Sequence, residues 1–117
     1  MSTTIYHNPR CSKSRQTLEL LNNKGIETEI IEYLNNPPNA ETIKCILTEL
    51  GMEPRELMRK GQDEYKELEL NNEALSNDDL INAMVENPIL IERPIVVTEK
   101  GAAIGRPIEN IEKLLNK

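Results

Sequence analysis

Apolar residues in this chain fall either in short β-like runs or in stripes at helical spacing, with glycine and proline separating them. Thr3 to Tyr6 is short and β-prone, and it leads directly into His7-Asn8-Pro9-Arg10-Cys11. Ser12 to Lys24 reads as a helix with Leu18 and Leu21 on one face, closed by Gly25 as a C-terminal cap. Glu27 to Tyr33, with Ile30, Ile31 and Tyr33, reads as a second strand. Pro37-Pro38 breaks the chain, and Asn39 is placed to cap a helix that runs to Leu50 and stops at Gly51. Within it Ile43, Ile46, Leu47 and Leu50 fall at i, i+3, i+4 and i+7, which makes one stripe apolar.

Residues 53–75 are polar and helix-prone, with Leu57 and Met58 as their few anchors. Ser76 followed three residues later by Asp79 is a near capping box. Leu80, Ile81, Met84 and Val85 then give the buried face of a helix that Pro88 stops. Pro94 to Thr98 predicts a strand, Lys100-Gly101 a turn, and Ala102 to Ile104 a short returning strand. Pro107 falls where a first helical position is expected, and Ile108, Ile111, Leu114 and Leu115 supply the last packing face. The order β-α-β-α, an all-helical middle, then β-β-α predicts a single α/β domain over residues 1–117, with a helical insertion at about 52–88. It is also the order of a thioredoxin-like domain, a four-stranded mixed sheet flanked by helices. That narrower assignment needs the motif around residue 11 as well.

Composition narrows the picture. A chain of 117 residues can bury about two thirds of its unfolded surface as one domain. It has no Trp or Phe, so the core must be aliphatic, helped by Tyr6, Tyr33 and Tyr65. No apolar run approaches the ~20 residues of a membrane span, and Met1 to Ile5 lack the basic and long apolar stretches of an export signal. Two cysteines in that context point to a reducing, cytoplasmic setting without a structural disulfide. A formal charge of −6 argues against nucleic acid as the main ligand. A small anion is still compatible, because screening over about 8 Å separates a local arginine cluster from the global field. A monomer is the expected state.

Cys11 is the candidate nucleophile. It follows a strand and a proline-containing turn at the start of a helix, where the first backbone N–H groups lack internal partners and favour an anion. That effect is worth about 0.3–2 kcal/mol, too little alone for a thiolate at neutral pH. Arg10, Lys13, Arg15 and His7 can add positive charge, and the Ser14 hydroxyl can donate a hydrogen bond to sulfur. Such a corner, flanked by cations, is expected to leave the sulfur exposed rather than packed as a small hydrophobe. Cys11-Ser12-Lys13-Ser14 is C-x-x-S, so no resolving thiol exists across the turn and an outside thiol must recycle the protein. Cys45 falls opposite the apolar stripe of its helix and reads as a bystander. His7 reads equally as a brace for the loop or an electrostatic aid to the thiolate. One histidine and two distant cysteines give no metal-ligand spacing.

Arg59, Arg93 and Arg106 complete the candidate set, since guanidinium groups fork onto tetrahedral oxyanions bidentately. Arg93 and Arg106 each precede a proline, which biases them to extended backbone. Several stretches then resemble the glutaredoxin-linked arsenate reductase family. They are His7-Asn8-Pro9-Arg10-Cys11-Ser12-Lys13-Ser14-Arg15, Tyr33-Leu34 to Pro37-Pro38, Leu57-Met58-Arg59-Lys60, Asn87 through Val97, and Gly105-Arg106-Pro107. The resemblance covers essentially the whole chain. It implies a thioredoxin-like fold, a cis proline at Pro94 beside the active cysteine, and catalysis by Cys11 with His7 and Ser14 as helpers. It also implies an oxyanion pocket from Arg59, Arg93 and Arg106, with Arg15 nearby. The implied reaction is reduction of arsenate to arsenite through a covalent thiol–arsenate adduct. Glutathione is the co-substrate, glutaredoxin the electron donor, and no cofactor stays bound. The chain stops at Lys117 and resembles the shorter, chromosomal type.

Two other readings remain open from sequence. A glutathione-dependent thiol–disulfide reductase would use Cys11 without converging arginines. A thioredoxin-fold regulator that binds RNA polymerase would use C-x-x-C, which Ser14 interrupts.

Overall fold

The computed structural model describes residues 3–116. Met1, Ser2 and Lys117, on which the readings of the amino terminus and of the chain's stop partly rest, lie outside them. The strands are β1 (Thr3–His7), β2 (Thr28–Glu32), β3 (Ile95–Thr98) and β4 (Gly101–Ile104). The helices are α1 (Ser12–Asn23), α2 (Ala40–Leu50), α3 (Pro54–Leu57), α4 (Asp63–Glu67), α5 (Asn77–Glu86) and α6 (Glu109–Leu115), with a 3₁₀ turn at Pro88–Leu90. They belong to two compact units, one made of the chain up to Asn36 and from Arg93 onward, the other of Pro37–Glu92.

The first unit holds the four-stranded mixed sheet in the order β2-β1-β3-β4. β1 runs parallel to β2 and antiparallel to β3, and β3 and β4 form the hairpin. Register explains the core. Ile5 sits opposite Val96, so both side chains leave the same sheet face, where they cluster with Leu21 of α1 and Ile111 and Leu114 of α6. Leu18, Leu20, Ile26, Ala103 and Leu115 pack around that cluster. Each such aliphatic side chain, fully buried, stabilises the fold by about 1.5–3 kcal/mol.

The second unit is helical. The Asn39 side chain accepts the Thr42 N–H at 2.8 Å and starts α2, and Gly51 ends it at φ +67°, a conformation a side chain resists. Ser76 and Asp79 make the full reciprocal capping box, at 3.0 and 3.1 Å. Ile43, Ile46, Leu57, Leu80, Met84 and Leu90 are buried. Residues 53–75 make only two short helices, because they lack an apolar stripe to hold a long one. Their shape comes from Arg55, which donates to the Tyr65 hydroxyl and to the Leu70 and Asn72 carbonyls.

Pro107 is not the first helical residue. It follows a cis peptide bond, accepts the Asn110 N–H in a turn at 3.0 Å, and the helix begins at Glu109. The peptide between Arg93 and Pro94 is cis, as the resemblance implied.

Gly105 leaves β4 directly against Pro94. A Cβ there would lie 2.9 Å from Pro94 Cγ and 2.6 Å from Thr17 Oγ1, inside van der Waals contact. Gly105→Ala should therefore destabilise the protein by about 1–3 kcal/mol through overpacking. Urea unfolding measures it; an unchanged midpoint would mean that Pro94 and Thr17 yield freely.

Candidate active site

The site grows out of the loop between β1 and α1. His7 ends the strand, and Cys11 is the residue that caps α1, with extended backbone at φ −94° and ψ 122°. The Cys11 N–H donates to Asn8 O at 3.0 Å, and the Asn8 side-chain oxygen accepts the Arg10 N–H at 3.0 Å. The helix then reaches back to hold the loop. Ser14 Oγ accepts the Asn8 N–H at 3.0 Å and lies 2.6 Å from His7 Nδ1. Arg15 Nη1 donates to Pro9 O at 3.0 Å. Asn8 was not singled out from sequence, although Asn-Pro is a recognisable turn signal.

A capping residue ordinarily presents an oxygen to the helix start. Cys11 makes no such side-chain capping bond, but the backbone N–H groups of Ser14 and Lys13 still favour negative charge on its sulfur. Burial pushes the Cys11 thiol up, but the Ser14 N–H, the Arg93 charge, the Lys13 N–H and the Arg106 charge together bring it below its ordinary 9.0. The two guanidinium groups come from the far side of the sheet sequence, not from the cations beside Cys11. Arg106 Nη2 donates to Cys11 Sγ at 3.4 Å, and its Nε donates to the Arg93 carbonyl at 2.7 Å. Arg93 contributes differently. Its Nε and Nη1 are buried and meet no acceptor among the described residues. Leaving such donors unmatched costs about 1–3 kcal/mol or more each.

Three expectations change. Cys11 is not exposed: only 8 % of the residue is open to solvent, since the loop and the Arg106 guanidinium lie over it. His7 does not supply positive charge. Burial lowers its pKa from 6.5, with Glu32 opposing and Arg15 assisting, so the ring is neutral at pH 7. The Ser14 hydroxyl is engaged with Asn8 and His7, and it is the Ser14 backbone N–H that faces the sulfur. His7 and Ser14 brace the loop.

Arg59 lies in the second unit, where its backbone N–H donates to Leu90 O at 2.6 Å and its Nε pairs with Glu92 at 3.4 Å. Glu56, Lys60, Gln62 and Glu92 line a hollow of about 450 Å³ beside it. Cys45 is a free, exposed thiol on α2.

With this geometry, comparisons with known proteins are specific. The model of the ArsC family matches residues 6–114. The Escherichia coli K12 protein YfgD, described as uncharacterized, is 54% identical over 95% of this chain and 94% of its own. A Neisseria meningitidis protein named arsenate reductase is 50% identical over 95% of this chain and 96% of its own. The solved structure of arsenate reductase from Vibrio cholerae superimposes with a TM-score of 0.94 at 50% identity, covering 97% of this chain and 98% of that one.

Because the folded state favours the thiolate, Cys11 adds stability that is complete above the unfolded thiol pKa and is lost as pH falls through the lowered folded value. The stability difference between wild type and Cys11→Ser should thus grow with pH and level off near 9.0. Alkylation of Cys11, followed by peptide mass mapping, should titrate at lower pH in the folded protein than in urea. Arg93→Ala should move that titration upward; an unmoved curve would remove Arg93 from the sulfur's surroundings.

Proposed function

The chain belongs to the ArsC family, and from that footing we propose that it reduces arsenate to arsenite, with Cys11 as nucleophile and glutathione and glutaredoxin as electron donors. The observation that carries this reading is Arg93, whose buried Nε and Nη1 meet no acceptor among the described residues and whose charge acts on the Cys11 sulfur. A tetrahedral oxyanion supplies two acceptors to one guanidinium. A protein disulfide offers it none, which sets the oxyanion reading above thiol–disulfide exchange. Relatives named arsenate reductase cover this chain almost end to end.

Arsenate enters against Arg93 and displaces Arg106 Nη2 from the sulfur, with Arg15 at the rim of the loop. The Cys11 sulfur bonds to arsenic(V), and one arsenic–oxygen bond breaks as the oxygen leaves, protonated, as water. The glutathione thiol adds in the same way, with loss of a second water. A glutaredoxin thiolate then attacks the glutathione sulfur. The sulfur–arsenic bond breaks, its electron pair stays on arsenic as As(III), and the two thiols depart as a mixed disulfide. Water replaces the Cys11 sulfur, arsenite leaves, and the thiolate is restored. Arsenic gains two electrons, one from each oxidised thiol.

The protein's part is electrostatic. Arg93 and Arg106 neutralise charge on the oxyanion as sulfur attacks, and the Ser14 and Lys13 N–H groups favour the thiolate form of that sulfur. His7 and Ser14 fix the loop on which the sulfur rides. A reducing compartment supplied with glutathione, the cytoplasm, suits this cycle.

The test is an NADPH-coupled assay on arsenate with glutathione and glutaredoxin. Cys11→Ser should abolish turnover. Arg93→Ala should lower kcat/KM by about 10- to 150-fold, the worth of a hydrogen bond to a charged group, and Arg93→Lys should recover only part, because an ammonium cannot fork. Wild-type turnover by Arg93→Ala would sink the reading. So would a wild-type protein that reduces a glutathione mixed disulfide but leaves arsenate untouched.

A further inference from the structure

Arg106 has to hold two positions at once, its Nε on the Arg93 carbonyl and its Nη2 on the sulfur. A long, rotamer-rich side chain reaches both only if its own backbone is fixed. From the front, the Gly105 N–H donates to Pro94 O at 2.9 Å, at the place where no Cβ fits. From behind, one side chain of α6 holds the same segment. Asn110 Nδ2 donates to Ile104 O at 3.2 Å and to Arg106 O at 3.3 Å. The two hydrogens of this amide thus meet the carbonyls on either side of Gly105, and close the exit from β4 into a fixed bend.

We propose that Asn110 is a positioning residue for the anion site, acting through the Arg106 backbone to set where the guanidinium meets the Cys11 sulfur and the incoming oxyanion. The proposal rests on the oxyanion-reductase reading for its kinetic consequence, while its geometric consequence at the sulfur stands apart from that reading. Three features favour this over a purely local role in the helix. The Asn110 side chain leaves its own helix to donate to the strand exit. Both acceptors flank the one residue that admits no side chain. One acceptor is the carbonyl of Arg106 itself. A carboxylate of the same shape would face both carbonyls with lone pairs and no hydrogens, so Asn110→Asp breaks both bonds without emptying the space.

The experiment compares wild type, Asn110→Asp, Arg106→Ala and the double variant Asn110→Asp/Arg106→Ala. Two readouts are taken: the pH dependence of Cys11 alkylation by peptide mass mapping, and KM and kcat for arsenate in the coupled assay. Asn110→Asp is expected to shift the Cys11 titration upward. It should also raise KM for arsenate about three- to tenfold, the worth of an ordinary hydrogen bond, with kcat held within about twofold. In the Arg106→Ala background neither quantity should move further. A wild-type titration and KM in Asn110→Asp would overturn the proposal. Equal shifts in the presence and absence of the Arg106 side chain would also overturn it, since Asn110 would then act on the fold at large. Should Asn110→Asp fail to fold, Asn110→Ala carries the same comparison. If the wild-type protein does not reduce arsenate, the function reading fails, and the alkylation arm alone decides the role of Asn110.

Discussion

One guanidinium links the two halves of the site's chemistry. Arg106 ties its Nε to the carbonyl of the residue before the cis proline and points Nη2 at the sulfur of Cys11, the residue that precedes α1. Cys11 is thereby held between backbone N–H groups of its own helix and a cation delivered by the hairpin. Both act against burial, which opposes ionisation of the thiol, and a helix start alone contributes little. The sheet order β2-β1-β3-β4 is what makes the meeting possible. It sets β3 beside β1, so that the segment entering β3 lies next to the loop leaving β1.

Much of the fold was legible because local chemistry and tertiary structure agree. Asn39 and Ser76 start helices by accepting N–H groups, Gly51 ends one in left-handed backbone, and Ile5 and Val96 bury one side of paired strands. Where a remote partner decides the local structure, the sequence was a poor guide. Residues 53–75 look helical by propensity, yet the bonds from Arg55 to Tyr65, Leu70 and Asn72 impose a more irregular course. Pro107 looks like a helix opener, but its neighbours hold it in a turn ahead of α6.

The same division holds at the site. Cys11, Arg93 and Arg106 stood out because a thiol at a helix start and arginines before prolines carry physical meaning without coordinates. The state of His7 did not, since its neutrality follows from burial and from the balance between Glu32 and Arg15. Nor did the division of labour in the C-x-x-S turn, where the hydroxyl of Ser14 braces the loop and its backbone N–H serves the sulfur. Arg15, close to Cys11 in the chain, donates to the Pro9 carbonyl, and the charges that lower the thiol's pKa are those of the distant Arg93 and Arg106.

The shielding of Cys11 carries a consequence for the kinds of molecule able to react there. A sulfur this enclosed, with a cation resting on it, is opened most readily by something that offers that cation a better companion. A negatively charged oxyanion is a companion of that kind. An uncharged oxidant such as a peroxide brings that cation no such companion. The contact that favours the thiolate therefore also favours visitors that bring negative charge to the Arg106 guanidinium.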